Sequence, residues 1–102
     1  MKGYRLSKSA ELDLAEIADY TTDVWGATQA DLYLDSLVEC FLRIAQRPHL
    51  GRACDSVHPG FRRIVQDKHV IFYKPDKSGV LIGRILHQSM LPTRHELMES
   101  GS

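Results

Sequence analysis

Arg63, Arg84 and His87 are the residue types that phosphoryl chemistry on RNA calls for. Two cations could meet the charge that develops on a phosphorane, and an imidazole could move a proton. The segment that would have to complete such a set is Gln88-Ser89-Met90, directly beyond the last apolar run, and it holds no strong acid, base or cation. No tyrosine follows Tyr73. The formal net charge is zero, 13 Lys and Arg against 13 Asp and Glu, which suits neither a ribosome-bound nuclease nor a tight general nucleic-acid binder. The expectation is therefore no catalytic residues, with Arg63, Arg84 and His87 as the reduced set a nuclease would have to use.

Other site chemistries are no better supplied. The histidines at 49, 58, 69, 87 and 95 show no paired spacing on one helix and no cysteine partner at zinc-site spacing, so neither a metal nor a cofactor is expected. Cys40 falls in a helical pattern and Cys54 in a polar loop; without a cysteine-rich framework or a signal peptide, both are expected as reduced thiols in a cytoplasmic protein. No apolar run is long enough to span a membrane. The balanced charge conceals an asymmetry. Residues 1–46 carry eight acids against four bases, a net of −4, and residues 47–102 a net of +4.

The elements that must position these groups follow from periodicity. Tyr4-Arg5-Leu6 reads as a first strand, ended by Ser7, whose hydroxyl can cap a helix. Leu14, Ile17, Ala18, Thr21, Val24 and Trp25 then recur at the spacing of one buried helical stripe, with Trp25 expected to anchor the core. Gly26 stops that helix in the position where a left-handed residue is favoured. The pattern resumes at once through Ala30, Leu34, Leu37, Val38, Phe41, Ile44 and Ala45 until Pro48. So short a connection forces an antiparallel helical hairpin. After an irregular stretch from Pro48 to Gly60, the period changes to two across Phe61–Gln66, His69–Lys74 and Val80–His87, an antiparallel meander. The fold class is α+β in two layers, ordered β-α-α-β-β-β, with the hairpin packed on an antiparallel sheet and the first strand at its edge.

Both faces of these strands look apolar. The last strand offers Val80, Ile82, Arg84 and Leu86 on one side and Leu81, Gly83, Ile85 and His87 on the other. One hairpin covers one face, so some apolar surface should remain for a partner. Arg62 and Arg63 are adjacent, which sends one to each face. An unpaired guanidinium at Arg84 would be costly inside an apolar strand, so it is expected either in an ion pair or at the uncovered face.

The order and spacing of the pieces resemble the ParE branch of the RelE/ParE toxin superfamily over nearly the whole chain. Those pieces are Tyr4-Arg5-Leu6-Ser7, Asp19-Tyr20-Thr21, Trp25-Gly26, Ala30-Asp31, Tyr33-Leu34, Pro48 with Gly51-Arg52, Pro59-Gly60-Phe61-Arg62-Arg63, His69-Val70-Ile71-Phe72-Tyr73 and Arg84-Ile85-Leu86-His87 with Met90. Leu91 stands where many relatives carry an acid. The resemblance implies a cytoplasmic bacterial toxin that acts on DNA gyrase, stabilises the cleaved gyrase–DNA state and is neutralised by a ParD-like antitoxin, whose own half of the complex binds DNA. It leaves two rivals, a RelE-like ribosome-dependent mRNA endonuclease and an orphan that only binds an antitoxin. Partner contacts are expected at Arg62, Arg63, Tyr73, Arg84, Leu86, His87, Met90 and Arg94, on a single domain over residues 1–98 followed by a tail at 99–102.

Overall fold

In a computed structural model, residues 3–55 and 58–90 are described. The elements are β1 (Gly3–Leu6), α1 (Lys8–Trp25), α2 (Ala27–Gln46), β2 (Arg52–Ala53), β3 (Arg62–Gln66), β4 (His69–Asp76) and β5 (Gly79–His87), closed by a 3-10 turn at Gln88–Met90. The expected α+β order holds, with one short strand more. The sheet runs β1-β5-β4-β3-β2 and is mixed, because β1 lies parallel to β5 while every other neighbouring pair is antiparallel. Periodicity located the first strand but carries no information on its direction.

Ser7 caps α1, accepting the Ala10 amide at 3.0 Å, and its hydroxyl also donates to the Gly83 carbonyl at 2.8 Å. One side chain thus starts the helix and ties it to β5. Gly26 alone joins the helices, at φ 93°, a conformation that other residues adopt at a steric cost. The hairpin closes on the sheet through Ala10, Ile17, Leu37, Cys40, Phe41, Ile44 and Ala45, which meet Ile71, Tyr73, Val80, Ile82 and Ile85 in one core. Tyr4 packs its ring on Phe41, 5.1 Å between centroids.

Two expectations need correction. Trp25 is 66% exposed and Val24 is half exposed, so the stripe of α1 ends at Thr21 as far as burial goes. The second correction concerns β5, whose register shifts between Phe72/Tyr73: Phe72 faces Arg84 and Tyr73 faces Ile82, leaving Gly83 as an extra residue. That bulge resets the alternation. Val80, Ile82 and Ile85 all point into the core, and the strand has one consistently apolar face. A side chain at 83 would collide with Phe61, whose ring would lie 2.6 Å from a Cβ there, so the bulge needs glycine for space.

Candidate partner-binding site

The helices cover the side of the sheet that carries Ile64, Ile71 and Ile85 in one row across β3, β4 and β5. Alternation puts two other rows on the opposite side: Arg63 and Phe72, whose neighbour in register, Arg84, turns its guanidinium around the free edge of β5 to Asp13 of α1, and then Val65, Val70 and Leu86. Val65 is 54% exposed, while Phe72 and Leu86 are partly buried. Beyond β3, Arg52 of β2 stands directly opposite Arg63 in the register. Like charges facing each other across strands repel, so this pair favours an anionic partner. No carboxylate among the described residues pairs with either arginine. Arg52, Arg63, Val65, Val70 and Gln88 line a concavity of about 530 Å³. An apolar floor with a cationic rim can take an extended or helical segment that has acidic side chains and apolar anchors.

The three groups considered for RNA chemistry do not converge. Arg63 lies on the uncovered side. Arg84 reaches Asp13 of α1, donating from Nε at 2.8 Å and from Nη2 at 3.0 Å, and Asp13 holds the guanidinium firmly in its charged form. Asp13 also accepts the Ile85 amide at 2.9 Å. It therefore caps the part of the β5 edge that β1, ending at Leu6, does not reach. His87 is on the helix side, its ring edge-on to His69 at 5.2 Å, and its Nδ1 is occupied by the Ser89 hydroxyl and amide. His69 in turn meets the Tyr33 hydroxyl of α2 through Nδ1. Burial, followed by the neighbouring His87, pushes the His69 pKa below the ordinary histidine value. Burial pushes the Tyr33 phenol upward.

The remaining expected contacts separate in the same way. Arg62 pairs with Tyr73 on the helix side and donates to the Gly51 carbonyl at 2.7 Å, so the two adjacent arginines do take opposite faces. Tyr73, expected at the partner surface, is fully buried. Its hydroxyl donates to the Pro48 carbonyl at 2.8 Å and accepts the Gly51 amide at 2.7 Å, which makes it a strut for the loop leaving α2. Leu86 sits on the uncovered face. The Met90 side chain and Arg94 lie outside the described residues. Arg52 escaped sequence reasoning because a two-residue strand shows no period. Asp13 had a signal: it stands four residues before Ile17 on the buried stripe, and Arg84 in an apolar strand called for an acid.

Both cysteines are free and buried, and burial raises the thiol pKa of each. Among the described residues no cluster of three or more His, Cys, Asp or Glu side chains could hold a metal, and no helix is long and apolar enough to cross a membrane.

Comparison with known proteins bears on this geometry. The family model described as "ParE toxin of type II toxin-antitoxin system, parDE" matches residues 4–92. Toxin ParE1 of Mycobacterium tuberculosis (strain ATCC 25618 / H37Rv) is 42% identical over 88 residues, covering 85% of this chain and 90% of the relative. Toxin ParE1 of Caulobacter vibrioides is 38% identical over 95 residues, covering 93% and 98%. The chain's fold is similar to that of a solved structure described as a chromosomal ParDE TA system from P. aeruginosa, with a TM-score of 0.72 at 21% identity and coverage of 85% and 96%.

Proposed function

The chain belongs to the ParE toxin family of type II toxin–antitoxin systems, and from that premise we propose that it poisons DNA gyrase by protein–protein contact in the bacterial cytoplasm. Its neutralising partner is a ParD-like antitoxin. The observation that carries the reading is the dispersal of the reduced nuclease set: Arg63 is on one face of the sheet, Arg84 is engaged by Asp13, and His87 is on the other face with His69. A general base and its cationic donors must reach one scissile group together. Here they do not.

The uncovered sheet face supports the antitoxin half of the proposal. Arg52 and Arg63 above Val65 and Val70 suit an acidic segment with apolar anchors, of the kind that orders on binding. This chain makes no sequence-specific contact with nucleic acid in the proposal; DNA recognition belongs to the antitoxin. The test sets gyrase supercoiling against cleavage of ribosome-bound mRNA, using the purified protein. Inhibited supercoiling with accumulation of cleaved DNA and intact mRNA is the expected result. Codon-positioned mRNA cleavage with gyrase unaffected would overturn the proposal.

A further inference from the structure

The helical hairpin carries a second exposed surface that the sheet face does not account for. The buried core on α1 ends at Ile17 and resumes on α2 at Leu37, with Tyr33 and Leu34 packed partly against it; between Ile17 and Leu37 only Thr21 and Ala30 are buried. The joined ends of the helices are therefore exposed from Thr22 to Gln29. On them Tyr20 is 65% exposed, Val24 50%, Trp25 66% and Leu32 59%. Single exposed apolar residues are ordinary, but four fall within the last two turns of α1 and the first two of α2, and two of them are the aromatic types that dominate binding hot spots.

Charge specifies what this end of the hairpin can meet. From Ser9 to Leu42 the chain has no Lys, Arg or His, while Asp19, Asp23, Asp31 and Asp35 are all exposed on the same stretch of the two helices. An acidic segment would be repelled here and drawn instead to Arg52 and Arg63 on the far side of the sheet. We propose that the hairpin tip is the surface by which the toxin docks on its target, and that its occupant is a basic protein surface with an apolar pocket for Trp25. The inference rests on the gyrase reading: an enzyme that grips DNA must carry extensive basic surface. The two layers then serve two partners of opposite charge, the sheet an acidic antitoxin segment and the hairpin a basic target.

The experiment uses gyrase holoenzyme with supercoiling substrate, and the full chain as wild type, as Tyr20→Ala/Trp25→Ala and as Asp19→Lys/Asp23→Lys. All four positions are exposed, so both variants should keep the wild-type circular dichroism. Expected is a rise of at least about 10-fold in the concentration needed to inhibit gyrase, with antitoxin affinity unchanged. Trp25 is the chain's one tryptophan, and its emission in the wild type should shift to the blue when gyrase is added. Folded variants that inhibit like the wild type, or wild-type emission that stays unmoved while gyrase is inhibited, would overturn the docking assignment and leave the gyrase reading standing. Loss of antitoxin binding in the same variants would make the tip an antitoxin seat and also overturn it. A wild-type protein that neither binds nor inhibits gyrase would remove both, an outcome visible before any variant is compared.

Discussion

Asp13 and Arg84, 71 residues apart in sequence, form a two-pronged ion pair that closes the free edge of the last strand onto the first helix. The carboxylate is almost wholly buried and serves three donors, whereas the Arg84 side chain is half exposed. Removing the acid strands the Ile85 amide more than it strands the guanidinium, which water can reach. Asp13→Ala should therefore cost about 2–4 kcal/mol, and Asp13→Asn, which keeps an acceptor for the amide, distinctly less. Urea titration of both variants reads the difference. Equal losses would mean that the ion pair, not the amide cap, carries the stability.

Phe41 is fully buried, its ring packed on Tyr4 of β1. Its replacement by Ala should cost about 3–5 kcal/mol, the range for a large aromatic truncated in a closed core. A fall in the urea midpoint equivalent to less than about 1 kcal/mol would mean that the helical stripe is not the core.

Tyr73 gives a sharper test of what sequence could not show. Tyr73→Phe removes one hydroxyl and leaves the Pro48 carbonyl and the Gly51 amide without their partner, a loss of about 1–3 kcal/mol. Gly51→Ala should destabilise as well, since a Cβ there would fall 2.6 Å from the Tyr73 oxygen. Faster amide exchange confined to the segment around Gly51 would mark the strut. Unchanged exchange would remove it.

The parts legible in the sequence were those fixed by local chemistry: Ser7 as a cap, Gly26 as the break between helices, Pro48 as a stop, and the change from period 3.6 to period two after Gly60. What escaped depends on contacts distant in sequence. Gly83 was visible as a glycine within a strand, yet only the pairing with β4 shows that it is a bulge, and carrying strict alternation through it made both faces of β5 look apolar. Trp25 continues the helical stripe, but periodicity cannot say where burial along that stripe stops. Tyr73 reads as a surface residue in the sequence because its hydroxyl partners, Pro48 and Gly51, lie more than twenty residues upstream in an irregular loop.

His69 sets a pH dependence. It is buried beside His87, with Asp67 opposing the effect and Tyr33 occupying Nδ1, so its pKa in the folded chain is below the unfolded value of about 6.5. The unfolded chain therefore takes up this proton first. The contribution is fully present above about pH 6.5 and is lost as pH falls from there toward the folded pKa. Comparing urea midpoints of the wild type and His69→Gln should show a steeper acid loss in the wild type over that interval. Parallel curves would mean that burial does not perturb this histidine.

The sheet face makes a kinetic prediction that distinguishes charge from apolar contact. Arg52 and Arg63 sit opposite each other at the rim of the concavity and are exposed, so their field acts on an approaching acidic segment before contact. Reversing both to Glu should lower the association rate with antitoxin at low salt by about tenfold, and should flatten the decline in that rate as salt rises, because screening then has less attraction to remove. Leu86→Ala removes buried area from the same face without touching the charge. Its effect should fall on dissociation, since apolar contacts form only once the partners have met. Surface-binding kinetics at two ionic strengths resolve the two contributions. Arginine reversals that leave the association rate unchanged at both would place the antitoxin elsewhere on the toxin, and the facing arginines would then need another anion to explain them.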